Sequence, residues 1–185
     1  MGEQHKMVPD IDLFALGNVN MNIHGTEIEI VAYGGVFGDG THETTKMMLE
    51  AINHLDLRGS SVLDIGTGTG VLAIQAKMQG AEKVTAVDID YAAIMTARKN
   101  FELNGVEIKS RLNILNEYIE PHDVTFANIA PHLVRELLGT LDGVLVCSFP
   151  HGLFRQDCRK PLADWEILAE ILGTEWDVFT IRRRK

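Results

Sequence analysis

One stretch limits what this chain can fold into more than any other: Val62-Leu63-Asp64-Ile65-Gly66-Thr67-Gly68-Thr69-Gly70-Val71. A short apolar run carries an acid near its end. Three glycines follow at alternate positions, and a second apolar run (Val71, Leu72, Ala73, Ile74, Ala76) begins. That order reads as strand, tight turn and helix. It is how an open α/β sheet presents a ligand at the carboxyl ends of its strands. Glycine tolerates the backbone angles of such a turn and leaves no Cβ between main chain and ligand.

The spacing narrows the ligand. A dinucleotide fingerprint reads G-x-G-x-x-G, whereas this loop reads G-x-G-x-G with Asp64 two residues before the first glycine. A carboxylate there repels a pyrophosphate and suits a cationic amino group, such as that of the methionine part of S-adenosylmethionine (SAM). A second acid, Asp88, ends the next apolar run, Lys83-Val84-Thr85-Ala86-Val87, and lies 22 residues beyond Gly66. An acid in that place accepts both ribose hydroxyls of an adenosine. Hydrogen bonds to a charged group contribute about 1.5–3 kcal/mol each, so Asp88 is expected to matter to affinity. The candidate cofactor contacts are Asp64, Gly66, Thr67 and Gly68 in the first segment and Asp88 and Ile89 in the second.

The length of 185 residues suits one domain with a full core. A net charge of −9 argues against a general nucleic-acid binder, and leaves basic partners such as lysine-rich proteins open. Cys147 and Cys158 lack metal-ligand spacing and fit a reducing cytosol. The seven histidines contain no H-E-x-x-H pair, so no metal site is expected. The polar start Met1-Gly2-Glu3-Gln4-His5-Lys6 is not followed by a signal-peptide core, and no apolar run reaches membrane-spanning length. The expected location is the cytoplasm, with no membrane partner and nucleic acid disfavoured.

Along the chain, residues 1–26 read as an extension packing on the main domain, with a helical turn over Leu13–Leu16. Glu27-Ile28-Glu29-Ile30-Val31 alternates like a half-buried strand. A glycine loop from Phe37 leads to a helix capped by Thr41 with its apolar face on Met47, Met48, Leu49, Ile52 and Leu55. Its place before the glycine-loop strand makes it a candidate lid. Asp90 is a natural cap for a helix closing at Asn104-Gly105. Further strands are expected within 107–114, over Val124–Ala127 and Val144–Ser148, and as a hairpin over Trp165–Leu172 and Trp176–Arg182, with a helix over Pro131–Leu138 and weak helix over Gly152–Leu162. The pattern predicts a doubly wound, Rossmann-like sheet, mostly parallel, with a C-terminal antiparallel hairpin.

Taken together, Phe37-Gly38-x-Gly40-Thr41-His42-x-Thr44-Thr45, Asp64-x-Gly66-x-Gly68-x-Gly70, Val87-Asp88-Ile89-Asp90 and Ala127-Asn128-Ile129 resemble the PrmA family, enzymes of the class I SAM-dependent methyltransferase superfamily that methylate ribosomal protein L11. The resemblance covers roughly residues 27–140. The glycine loop is shared across the superfamily, and the upstream G-x-G-T-H-x-T-T stretch is the specific part. The resemblance implies that Thr45 touches SAM from the loop before the first strand. It also implies that Gly66 lets the backbone approach, that Asp88 holds the ribose, and that Asn128 sits beside the transferring methyl group. Asp39 departs from the family's usual small residue, and Asn128-Ile129-Ala130-Pro131 from its usual Asn-Ile-Leu. Full-length members carry an N-terminal domain that recognises the ribosomal protein, and 26 residues are too few for one. The reading is therefore a catalytic domain over 27–185.

The expected reaction is transfer of methyl groups to an amine of a protein, a lysine side chain or N-terminal amine. Ribosomal protein L11 is the first partner to try. Asn128 is the candidate catalytic residue, through carbonyl oxygens that accept hydrogen bonds from the incoming amine. His42 and His151 are the candidate proton acceptors. Asn128 at a strand end also invites comparison with enzymes that methylate planar amide or nucleobase nitrogens, although the chain lacks their N-P-P-Y motif. Two other readings stay open at this point: a non-catalytic SAM-binding module, and a dehydrogenase, which the glycine spacing disfavours. Oligomeric state is not legible.

Overall fold

The computed structural model describes residues 15–184, apart from 24, 34, 113–119 and 159–160. Two strands come first, β1 (Ala15–Ile23) and β2 (Thr26–Tyr33), paired antiparallel as a separate ribbon. The expected helical turn therefore gives way to strand at Ala15 and Leu16, and Leu13 and Phe14 lie outside the described residues. Alternation over Asn18–Asn22 (asparagine, valine, asparagine, methionine, asparagine) suits a two-faced ribbon, and backbone pairing with β2 decides the conformation.

Helix α1 (Glu43–Asn53) leads to β3 (Ser61–Ile65), and α2 (Val71–Met78) leads to β4 (Lys83–Asp88). Helix α3 (Tyr91–Leu103) leads to β5 (Lys109–Leu112), and β6 (Val124–Ala127) is followed by α4 (Pro131–Leu137) and β7 (Val144–Pro150). Then come a short α5 (Phe154–Asp157), a 3-10 turn (Pro161–Asp164), β8 (Trp165–Leu172) and β9 (Trp176–Arg183). The seven strands from β3 onward form one sheet in the order β5-β4-β3-β6-β7-β9-β8. All neighbours are parallel up to β7. The β7–β9 and β8–β9 pairs are antiparallel, the latter joined by a three-residue hairpin connection. The short β5 lies at the edge of the sheet, where polar Lys109, Ser110 and Arg111 are tolerated.

Strand residues alternate between two cores. Val62, Phe126, Val146 and Val178 face α1, α2 and α3. Leu63, Ala127, Leu145, Cys147 and Phe179 face α4 and α5, where Phe154 stacks on Phe179 at 4.1 Å between ring centroids. Burying a side chain of this size contributes about 1.5–3 kcal/mol, so the sheet is held from both faces. The thiols of Cys147 and Cys158 are pushed upward by burial, and both behave as core residues.

The topology places the site. The chain leaves β3 toward β4 and β5 on one side and returns to β6 and β7 on the other. The strand order thus reverses between β3 and β6, and a doubly wound sheet opens its ligand crevice at the carboxyl ends of that pair. The β1–β2 ribbon is tied to this region by Asn100 of α3, a fully buried side chain. Its Oδ1 accepts from Val31 N (2.8 Å), and its Nδ2 donates to Val31 O (3.2 Å) and to Thr69 O of the glycine loop (2.9 Å).

Candidate active site

The glycine loop turns through three left-handed residues, Gly66 (φ 72°), Gly68 (φ 54°) and Gly70 (φ 84°). Space as well as backbone angle demands glycine here. A Cβ on Gly66 would run into the Ile129 side chain, and one on Gly68 into the Phe37 carbonyl. The 35–40 loop lies directly on the turn. Thr69 N donates to Phe37 O (2.9 Å) and Thr69 Oγ1 to Gly38 O (2.6 Å). The loop singled out as a candidate lid thus packs against the glycine turn.

Helix α1 is capped differently from expectation. His42, not Thr41, is the N-cap, and its Nδ1 accepts from Thr44 N at 3.2 Å. Thr41 is diverted because its N and Oγ1 both donate to Asp39 Oδ1, at 2.9 and 2.6 Å. The same ring nitrogen lies 2.8 Å from Thr44 Oγ1, so Nδ1 is engaged within the first turn of α1.

Asp88, at the carboxyl end of β4, is gripped on both oxygens. Oδ2 accepts from Gly68 N and Oδ1 from Asp90 N, each at 3.0 Å. Asp90 in turn caps α3 through Ala92 N (2.9 Å). The carboxylate is thereby fixed in plane and position, and each oxygen keeps a further lone pair for a hydroxyl donor.

Two cavities open at this edge. The larger, about 310 Å³, is lined by Gly66 and Gly68, by Asp88 and Ile89, by Val36 and Phe37 of the lid loop, and by Asn128 with Ile129 after β6. The smaller, about 240 Å³, shares Phe37, Asn128, Ile129 and Ala130 with it, and adds His42, Thr44, Ser148 and Trp176. His42 stands between Phe37 and Trp176, with ring centroids at 5.1 and 6.0 Å. Asn128 faces both cavities, and its Oδ1 accepts from Ser148 Oγ at 2.7 Å.

Of the residues singled out from sequence, Gly66, Gly68, Asp88, Ile89 and Asn128 line the larger cleft. Thr45, Asp64 and Thr67 are buried and do not line it. Asp64 is fully buried. Its Oδ2 accepts from Thr67 Oγ1 (2.7 Å), and its Oδ1 has no hydrogen-bond partner among the described residues. Burial pushes its pKa up to about 7; the Thr67 bond and the nearby Ala73 backbone amide oppose that rise, and the charge of Asp88 adds to it. Thr45 Oγ1 is likewise buried without a partner among the described residues. A buried carboxylate lacking a cation, beside a glycine cradle that a Cβ would fill, fits a ligand that brings a positive amino group and an adenosine.

The two candidate histidines are placed differently from one another. His42 lines the smaller cavity, with Nδ1 engaged by Thr44. His151 Nδ1 donates to Asp177 Oδ1 (2.8 Å). Asp177 pairs with Phe149, on the face opposite Ser148 and Trp176. His151 lines neither cavity. Lining residues that sequence reasoning did not single out include Val36, Ser148 and Trp176. Only Trp176 has a composition signal, an aromatic beside a turn, and nothing local ties it to Asn128.

Fold and site together define a Rossmann-like protein of the methyltransferase class. The solved structures it resembles include a 16S rRNA methyltransferase of T. thermophilus in complex with AdoMet and guanosine, at a TM-score of 0.75 and 20% identity over 91% of this chain and 50% of that one. The chain belongs to the ribosomal protein L11 methyltransferase (PrmA) family, which it matches over residues 19–152. It is 44% identical to the ribosomal protein L11 methyltransferase of Shewanella piezotolerans over 167 residues, 79% of this chain and 57% of that one. It is 45% identical to that of Caldicellulosiruptor saccharolyticus over 65% of this chain and 39% of that one. The chain thus spans only about two-fifths to three-fifths of the length of these curated relatives. The crystal structure of a ribosomal protein L11 methylase from Lactobacillus delbrueckii subsp. bulgaricus superposes at a TM-score of 0.73, with 28% identity over 85% of this chain and 94% of that one.

Proposed function

We propose that this chain is a SAM-dependent N-methyltransferase unit that methylates amino groups of a protein, with ribosomal protein L11 as the acceptor. The single observation that carries the reading is the pair of joined cavities. One has a gripped acid and a glycine floor, the other is walled by aromatic rings, and Asn128 is common to both. The catalytic unit comprises residues 27–185, with 1–26 as an extension. The location is cytoplasmic, and among the described residues no helix is long and apolar enough to cross a membrane.

Asp88 would hold the ribose hydroxyls, and Ile89 would cover one side of the base. Asp64, through the loop of Gly66, Thr67 and Gly68, would balance the amino group, with Thr45 behind it. When bound, SAM supplies a methyl group on a sulfonium, an electrophile whose leaving group is neutral. The chain's own residues then have to position a neutral amine. Asn128 accepts an N–H of the amine and turns its lone pair to the methyl side. Phe37, His42 and Trp176 together wall the smaller cavity and exclude water from an alkyl stem. Positioning of this kind lowers barriers by up to about 7–11 kcal/mol, and a desolvating pocket lowers an amine's pKa toward the reactive neutral form.

The test is calorimetry with SAM on the wild type and Asp88→Ala, followed by methyl transfer to recombinant ribosomal protein L11. The expected result is micromolar-range binding that Asp88→Ala weakens at least tenfold, about 1.4 kcal/mol, and incorporation into the protein. A folded wild type that does not bind SAM would overturn the reading. Tight binding without transfer to any amine would leave a SAM-binding module instead.

A further inference from the structure

The geometry points to Ser148 as the residue that positions Asn128 for the acceptor, a role that rests on the methyltransferase reading above. Ser148 lies on β7 directly beside the end of β6. Its side chain is buried, at 1% exposure, and its Oγ donates to Asn128 Oδ1 at 2.7 Å. The amide of an asparagine turns about a broad, nearly two-fold torsion, so shape alone does not choose which end faces the acceptor. Ser148 makes that choice. In the flipped amide, Nδ2 would donate to Ser148 Oγ, and the serine proton would be buried with no other acceptor among its described hydrogen bonds. Leaving a buried hydroxyl unpaired is costly.

The choice has a chemical consequence. With Oδ1 held toward Ser148, that oxygen keeps its second lone pair for an N–H of the incoming amine, and the amine's own lone pair stays free. A flipped amide would offer N–H groups, which would bind the amine's lone pair and quench it as a nucleophile. Ser148 is thus a positioning residue that acts through Asn128 and touches neither the cofactor cleft nor its acid. Of the two cavities, Ser148 lines only the smaller.

The experiment compares wild type, Ser148→Ala and Ser148→Thr in the full chain. Three quantities are read: kcat and KM for methyl transfer from tritiated SAM to recombinant ribosomal protein L11, affinity for S-adenosylhomocysteine by calorimetry, and the order parameter of the Asn128 side-chain amide by NMR. Ser148→Ala is expected to lower kcat about tenfold, to change the KM for SAM and the product affinity less than twofold, and to lower the Asn128 order parameter. Ser148→Thr, which keeps the hydroxyl, is expected to recover most of kcat and the order parameter. An unchanged kcat in Ser148→Ala would overturn the proposal. So would a loss of S-adenosylhomocysteine affinity as large as the loss of kcat, which would mark a merely structural role. A wild type that methylates nothing signals failure of the parent reading. The link is then decided by NMR alone, where an Asn128 amide equally ordered with and without the serine hydroxyl overturns it.

Discussion

The two cavities meet at Phe37, Asn128, Ile129 and Ala130, yet they are made in opposite ways. The larger is built chiefly from main chain and short sequence motifs. Its floor is a left-handed glycine turn, its acid is the last residue of a strand, and the donors that grip the acid are backbone amides. The smaller is built from side chains gathered from four distant segments: the lid loop with the start of α1, the end of β6, β7 and β9. A ligand common to a whole superfamily suits the first kind of site, because backbone geometry is hard to vary. An acceptor that differs between enzymes suits the second, because loops and strand ends are exchanged without disturbing the fold.

The comparison predicts separable lesions, and the largest belongs to the glycine floor. In Gly68→Val a branched side chain must occupy a backbone angle of φ 54° and displace the Phe37 carbonyl. SAM affinity is expected to fall more than 100-fold, about 2.7 kcal/mol, as read by calorimetry. Because the same contact carries the Thr69 N to Phe37 O bond, the lid loop should also become susceptible to proteolysis. If Gly68→Val bound SAM normally, the larger cleft could not be the cofactor site.

The second lesion is on the acceptor side. Trp176→Ala removes one wall of the smaller cavity and leaves the larger untouched, since Trp176 does not line it. Turnover on ribosomal protein L11 is expected to fall 10- to 30-fold, about 1.4–2 kcal/mol, with SAM affinity within twofold of wild type. Trp176 also packs against the core face of α1 and α2. A melting curve should therefore show a loss of about 2 kcal/mol and confirm that the variant is folded. A parallel loss of SAM affinity would mean the two cavities are one site.

The same contrast explains what could be read in advance. Strand and helix periods, the Asp90 cap and the closing hairpin were legible to within a residue or two, because each is written in contiguous residues. The glycine floor and Asp88 were legible for the same reason. The cap of α1 was misread because Thr41 and His42 are adjacent competitors. What decides between them is Asp39, whose carboxylate takes both Thr41 donors. Ser148 and Trp176 were invisible as site residues. They reach Asn128 only because β6 and β7 pair in parallel, and β7 and β9 antiparallel, in one register, and that register is a property of the whole sheet. His151 looked suited to proton transfer by residue type. The alternation of β9 turns its partner Asp177 to the other face.

The smallest expected effect is the most specific to the larger cleft, and it comes from Asp64. Burial raises its pKa to about 7, well above the ordinary aspartate value of about 3.9. The unfolded chain therefore loses this proton near pH 4 and the native protein only near pH 7. Between those values the native state holds the extra proton, so by linkage stability falls as pH rises through the window. Asp64→Asn should flatten that part of the stability profile, measured by urea unfolding at pH 5, 6, 7 and 8, and should be at least as stable as wild type at pH 8. A cationic amino group arriving beside Asp64 stabilises the ionised form and draws the proton off. SAM binding at pH 6 should then release a fraction of a proton, read as a dependence of the calorimetric enthalpy on the ionisation enthalpy of the buffer. Asp64→Asn should abolish that release and bind SAM more weakly. If proton release persisted in Asp64→Asn, another group would be titrating, and Asp64 would be a buried strand residue with no charge relation to the ligand.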